Sequence, residues 1–323
     1  GLGKRLGVNT MNEKKPIDLI LDTDIGSDRD DVGAMMVLHR LRQAGECDLL
    51  AVTSSTSRKD SVAIIDVINR YYGADVPTGN VKGKKCSEGG THGMYSRAVA
   101  FAYGSRYIKE EPENAVTVLR RALAAAKDKV RLVTIGSFAN VAGLLKSGAD
   151  EISPLSGAEL VERKVSEMYS MAGNFKGVTN FYGYEFVAEC NVLLSLEDSI
   201  YVAENFPRPI VYSPFELGVK ILTGEKLLAG ADNPMKMAYY VHNAGPRESW
   251  DPVTAYMAVK GEGDFVMKEN VCVKVKENGA TYFTEGGKDR IAVDFKNAEK
   301  TRGGIEDLMS VRDEGESIWI KKS

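Results

Sequence analysis

Five aspartates fall within ten residues near the start of this 323-residue chain: Asp22, Asp24, Asp28, Asp30 and Asp31. They sit in the run Asp-Thr-Asp-Ile-Gly-Ser-Asp-Arg-Asp-Asp. Before them, residues 17–21 form a short apolar stretch that reads as a buried strand. After them, residues 30–44 read as a helix, with Ser27 or Asp28 as its expected N-cap and Gly45 as its stop. A buried strand, an acidic turn containing glycine and a helix in succession restrict the architecture. Carboxylates in such a number are tolerated only at an edge of the fold open to water or ligand. In an open parallel sheet that edge is the crevice beyond the carboxyl ends of the strands.

The rest of the chain keeps the rhythm of strand and helix. Residues 49–54, 130–135, 168–172 and 210–213 read as strands. Residues 60–72, 114–127, 139–146, 235–243 and 252–259 read as helices. Strands alternating with helices predict an α/β fold with a mostly parallel central sheet flanked by helices. The region from 265 to 295 changes character. Val271, Val273 and Val275 alternate with Cys272 and Lys274, and Asn278-Gly279 is a hairpin turn signal. This predicts a late antiparallel β excursion. A last helix is expected over residues 303–312. Residues 1–16 are a mostly polar lead-in, and residues 17–323 read as a single domain.

Like charges packed into one turn raise one another's pKa, and a hard divalent cation relieves the repulsion, because Ca²⁺ and Mg²⁺ take oxygen ligands. Helix capping accounts for one or two of the five aspartates. An EF-hand loop fits poorly: counting from Asp22, Gly26 is fifth and Gly33, rather than a glutamate, is twelfth. An Asp-x-Asp phosphatase nucleophile is conceivable and leaves Asp28, Asp30 and Asp31 less well explained.

Composition narrows the function further. Net charge is −3, with 42 basic and 45 acidic residues, so no electrostatic footprint for nucleic acid or an anionic membrane is present. No apolar run has the roughly 20 residues a membrane helix needs. Cys47, Cys86, Cys190 and Cys272 are far apart, without metal-site spacing, and read as reduced thiols. The polar lead-in is compatible with an exported or periplasmic protein as well as with a cytoplasmic one.

The acidic turn resembles the signature of the inosine-uridine-preferring nucleoside hydrolases, Asp-x-Asp-x-Gly-x-Asp-Asp, in a subgroup with two extra residues before the final Asp pair. Further segments resemble the family in order: Leu49-Leu-Ala-Val-Thr53, Thr91-His92-Gly93, Leu132 to Asn140, Met171-Ala-Gly173, Ala188-Glu189-Cys190-Asn191 and Trp250-Asp251-Pro252. The resemblance implies hydrolysis of the N-glycosidic bond of a nucleoside or related N-riboside. It also implies one bound Ca²⁺ and assembly as a homodimer or homotetramer. By position, Asp24, Asp31, Asp251 and the carbonyl of Ile135 would hold the cation, and Asp24 would act as general base. Asp30, Glu189 and Asn191 would hold the ribose hydroxyls. Asp28 has no counterpart in the shorter signature and would cap the helix or touch the metal surroundings.

The departures concern the sugar and base. Ser57-Arg58 stands where the family has Gly-Asn. The Asn expected before Glu189 is absent at the matching spacing, where Gly183 falls, although Asn180 lies nearby. Trp250 stands where many members carry a His that protonates the leaving base. Trp stacks on a base and donates no titratable proton, so either His92, Tyr182 or Tyr184 would assist departure or the base would leave with solvent help. Arg58 is suited to a phosphate or carboxylate on the substrate. His39 and His242 read as packing residues. Two other readings remain: a non-catalytic nucleoside- or sugar-binding protein on the same scaffold, and a metal-dependent phosphatase.

Overall fold

The first strand forms as β1 (Ile17–Thr23), and its side chains alternate between two cores. Leu19 and Leu21 pack with the helices Asp30–Gln43, Lys59–Tyr71 and Trp250–Lys260, through Met35, Ile64 and Met257 among others. Ile20 faces the opposite way. It packs with Leu119 and Leu144, from the helices Ala115–Ala125 and Ala139–Lys146. A strand covered on both faces is apolar throughout rather than alternating, which is why it stood out in the sequence. The computed structural model describes residues 15–84 and 94–311.

The other strands are β2 (Cys47–Ser54), β3 (Thr78–Asn80), β4 (Glu113–Asn114), β5 (Val130–Thr134) and β6 (Val165–Met171). There follow the hairpin β7 (Thr179–Phe181) and β8 (Tyr184–Phe186), then β9 (Ile210–Ser213), then the short pair β10 (Leu222–Thr223) and β11 (Arg247–Glu248). Last come β12 (Phe265–Val275), β13 (Thr281–Glu285) and β14 (Asp289–Phe295). The ten-stranded sheet runs β13-β12-β14-β9-β6-β5-β1-β2-β3-β4. Its neighbours from β14 to β4 pair in parallel, whereas β12 is antiparallel to both β14 and β13. The mostly parallel sheet and the late antiparallel excursion are both as the sequence predicts. The expected turn closes at Gly279, whose φ of 83° suits glycine, with its N–H donating to the Lys276 carbonyl at 2.8 Å.

The chain winds outward from β1 through β4, then returns to β5 on the other side of β1. That reversal opens the crevice between the carboxyl ends of β1 and β5, where ligands bind in open α/β sheets. Asp22 pairs in register with Thr134 of β5 and with Thr53 of β2. Asp24 and Ile135 therefore leave the sheet side by side.

Two local expectations are corrected, and one element is new. The N-cap position of the first helix is Arg29, with no side-chain cap bond, because the carboxylate of Asp28 is turned to Arg247. The last helix runs Ala298–Leu308 instead of 303–312, and the final expected residue lies outside those described. It starts early because Asn297 caps it, accepting the Lys300 N–H at 3.0 Å, and Gly303 and Gly304 lie within it. The hairpin β7–β8 was not anticipated. Its tight turn places Tyr182 (φ 50°) and Gly183 (φ 83°) in the left-handed region, a two-residue reversal whose tyrosine gave no turn signal.

Candidate active site

The acidic turn is built outward from β1. Asp22 is fully buried and serves as an internal tie. Its Oδ1 accepts from the Thr53 hydroxyl of β2 and from Asn140 Nδ2 at 2.7 Å, and Asn140 also donates to the Ser54 carbonyl at 2.9 Å. Burial pushes its carboxyl up to about 7 despite these bonds. The Thr23 hydroxyl accepts the Ile25 N–H at 3.2 Å and donates to Asp31. Gly26, at φ 126°, turns the chain, and its N–H donates to Tyr95 Oη at 2.6 Å. That hydroxyl donates in turn to the Asp28 carbonyl.

These bonds bring Asp24, Asp30 and Asp31 to the crevice, and the helix Trp250–Lys260 adds Asp251 from the far end of the chain. All four are buried, with 5%, 3%, 1% and 4% of their surface exposed, respectively. One carboxylate oxygen from each of Asp30, Asp31 and Asp251 lies within 4.8 Å of the others. The Asp251 N–H donates to Asp30 Oδ2 at 3.1 Å. Burial first, and the neighbouring carboxylates second, hold Asp30, Asp31 and Asp251 well above the usual carboxylate range. The charge of Asp24 acts on Asp31, Asp251 and Glu189 alike. Gly136 follows Ile135, and a Cβ there would lie 2.8 Å from the Asp24 nitrogen and 2.5 Å from Ser55 Oγ. Glycine at this position lets the β5 turn approach the acidic turn.

Glu189 and Asn191 stand beside this cluster. Glu189 caps the short helix Cys190–Leu193. It accepts the N–H groups of Asn191 (2.7 Å), Gly173 (3.1 Å) and Val192 (3.3 Å), and burial pushes it up to about 7. Asn191 Nδ2 donates to the carbonyls of Ile135 (3.2 Å) and Met171 (2.9 Å). It therefore orients the carbonyl singled out as a cation ligand. Trp250 lies in an aromatic wall, its ring centroid 5.3 Å from Phe215 and 5.7 Å from Phe181 of the β7 strand. Its indole N–H donates to the Phe215 carbonyl at 2.9 Å. Tyr182 is exposed, and its hydroxyl donates to Glu248 at 2.9 Å.

Arg58 is placed differently from its neighbours in this set. It occupies the N-cap position of the helix Lys59–Tyr71, and its guanidinium pairs with Asp60 through contacts of 2.9 and 3.2 Å. His92 and the rest of its segment lie outside the described residues. His39 is buried, bonded to Asn69 Oδ1 at 2.9 Å and stacked on Tyr72, and burial lowers it to about 4. His242 is half-buried, 2.7 Å from Arg29 Nη1. Both are packing residues, as their sequence contexts predict.

Sequence reasoning passed over Arg29, Tyr95, Gly136, Asn140 and Arg247. Gly136 and Asn140 lie within a segment already singled out. Arg247 and Asp28 meet across 219 positions, and no local pattern carries that pairing.

The sequence matches the family model described as inosine-uridine preferring nucleoside hydrolase over residues 19–308. A search of the curated proteins gives no match. Among solved structures, an inosine-uridine preferring nucleoside hydrolase from Bacillus anthracis superposes with a TM-score of 0.67. It is 16% identical, over 91% of this chain and 99% of that one. An inosine-guanosine nucleoside hydrolase superposes at 0.70, 18% identical over the same shares. A type III effector protein, XopQ, complexed with adenosine diphosphate ribose, superposes at 0.65. It is 15% identical, over 93% of this chain and 94% of that one. At these identities the structures share the fold. The family match carries more, because it spans residues 19–308, from β1 to the helix Ala298–Leu308. The chain belongs to the inosine-uridine-preferring nucleoside hydrolase family and is an N-glycosidic bond hydrolase.

Proposed function

We propose that this protein hydrolyses a nucleoside or related N-riboside with the help of a bound Ca²⁺. The observation that supports this most directly is the set of buried carboxylates from two distant segments, with oxygens of Asp30, Asp31 and Asp251 within 4.8 Å of one another. Burying several carboxylates together is strongly unfavourable unless a counter-charge is supplied. The donors are all oxygen, the chemistry of a hard cation. Asp24, Asp31, Asp251 and the Ile135 carbonyl would hold the ion, with Asp30 beside them. When bound, a divalent cation lowers the pKa of an attached water and holds substrate hydroxyls.

The residues then divide the reaction. Asp24 takes a proton from water as the water oxygen bonds to the anomeric carbon. The carbon–nitrogen bond breaks, and its electron pair leaves with the base. Positive charge grows on the sugar, and the carboxylates of Asp30 and Glu189 stabilise it, as fixed charges do for an oxocarbenium-like transition state. Asn191 fixes the Ile135 carbonyl and the sugar side of the pocket. Trp250, with Phe181 and Phe215, offers a face on which a base can stack. Proton delivery to the base falls to His92 or to a tyrosine of the β7–β8 hairpin.

The test is reducing-sugar release from a panel of ribonucleosides and 2′-deoxynucleosides. Release should stop with a chelator, return with Ca²⁺, and fall at least about 100-fold in Asp24→Asn. Phosphate release from nucleotides without base release would replace this reading with a phosphatase. Calorimetric nucleoside binding without any turnover would replace it with a binding protein.

A further inference from the structure

The acidic turn is two residues longer than the short family signature, and the added length is tied to one distant segment from both sides. Arg247 Nε donates to both oxygens of Asp28, at 2.9 and 3.0 Å, and its Nη2 donates to Asp28 Oδ2 at 2.6 Å. Its Nη1 donates to Glu248 at 2.6 Å, and the guanidinium lies 4.9 Å from the Trp250 ring centroid. In the other direction Arg29, nearly inaccessible to solvent, reaches the same segment. It donates to the Gly245 carbonyl at 3.2 and 3.0 Å, donates to the Pro246 carbonyl at 3.0 Å, and lies 2.7 Å from His242 Nδ1. The segment so held, residues 242–247, leads directly into Trp250 and Asp251.

The crevice carboxylates come in two halves. Asp24, Asp30 and Asp31 belong to the turn, and Asp251 belongs to the helix that follows residues 242–247. Like charges push those halves apart. A two-point Arg–carboxylate pair fixes direction as well as distance. A site held at its working spacing loses less on binding its ligand.

We propose that Asp28 and Arg247, backed by Arg29, form a clamp that sets the spacing between the two halves of the cation site. Asp28 and Arg247 are thus positioning residues for cation binding and touch neither the ion nor the substrate. This rests on the crevice being a Ca²⁺ site.

Calorimetric titration with Ca²⁺, on wild type and on Asp28→Asn and Arg247→Gln, separates position from charge. Charge alone moves the two variants in opposite directions: losing Asp28 removes attraction for Ca²⁺, and losing Arg247 removes repulsion. The clamp moves them in the same direction, each binding Ca²⁺ about tenfold more weakly, as loss of a residue supporting a metal ligand does. Far-UV circular dichroism without Ca²⁺ should match wild type. Arg247→Lys keeps the charge and loses the two-point contact, so it should also bind more weakly, and it serves where Arg247→Gln does not fold. Opposite shifts, or affinities equal to wild type, overturn the clamp and leave the cation site standing. Absence of Ca²⁺ uptake by wild type overturns the cation site and the clamp with it.

Discussion

The two edges of the central sheet handle charge in opposite ways. Near the amino ends of β5, β6 and β14, Arg131, Glu167 and Arg290 form an alternating network with Glu262 of the loop after the helix Trp250–Lys260. Arg290 Nη2 lies 2.6 Å from both Glu167 and Glu262, Arg131 Nε lies 3.2 Å from Glu167, and Tyr169 donates to Glu167 and Glu262 at 3.2 Å. At the carboxyl ends of β1 and β5, carboxyl group faces carboxyl group, and burial, with the neighbouring acids second, holds Asp30, Asp31 and Asp251 well above their usual range. The fold can neutralise half-buried acids with arginines, and does so at one edge. At the other it masses acids where substrate and cation would meet. One edge pairs opposite charges, and the other gathers like ones.

That contrast has a sharp test. Arg290→Met removes the centre of the paired, half-buried network and leaves two acids facing each other, so it should cost about 2 kcal/mol of stability, the scale of hydrogen bonds between charged groups. Ca²⁺ affinity should not change. Asp31→Asn should do the reverse. It relieves repulsion, so the Ca²⁺-free protein melts no lower than wild type, while the rise in melting temperature with Ca²⁺ disappears. Differential scanning calorimetry with and without Ca²⁺ reads both. Equal sensitivity of the two variants to Ca²⁺ would erase the distinction between the edges.

A smaller effect sharpens it through pH. Glu189 is pushed from an ordinary 4.5 up to about 7, by burial first and by the charge of Asp24 among the other causes. A raised carboxyl favours the folded state below its unfolded pKa, and that contribution is lost as pH rises through the folded value. Without Ca²⁺, wild type should therefore lose stability relative to Glu189→Gln between about pH 4.5 and pH 7, on the order of 2 kcal/mol. The gap should narrow with Ca²⁺, which favours the ionised carboxylate. Parallel pH profiles for the two proteins would show that Glu189 ionises without penalty.

What the sequence made legible follows from how local each feature is. The parallel sheet, the late hairpin and the acidic turn are written in contiguous patterns: apolar strands, period-two alternation and massed aspartates. Asp24, Asp30, Asp31, Glu189, Asn191 and Asp251 could be picked out because each lies in a short segment with its own signature. The pairing of Asp28 with Arg247 could not, because Arg247 lies 219 residues away and neither residue marks the other. The β7–β8 hairpin escaped for a different reason: a tyrosine at φ 50° occupies a position where turn chemistry leads one to look for Asn or Gly. The cap at Asn297 was hidden by Gly303 and Gly304, which look like a helix boundary and lie inside the helix.

The smallest expected effect concerns Arg58, the one sugar-side departure whose guanidinium turns away to its own helix. Its pairing with Asp60 is partly exposed, with a quarter of the Arg58 side chain accessible. Such a pair contributes up to about 1 kcal/mol, so Arg58→Asn should shift the melting temperature only slightly. A guanidinium already held by two bonds to Asp60 must give them up to reach a substrate. A neutral nucleoside offers nothing to offset that loss, so KM for it should stay within about twofold of wild type. A substrate carrying a phosphate or carboxylate does offer an exchange, one anion for another. If Arg58→Asn raises KM for such a substrate by about tenfold, while the neutral nucleoside is unaffected, Arg58 leaves Asp60 during binding and the enzyme selects an anionic N-riboside. If both substrates respond alike, the Arg58–Asp60 pair only fastens the start of its helix, and selectivity is decided at the aromatic wall around Trp250.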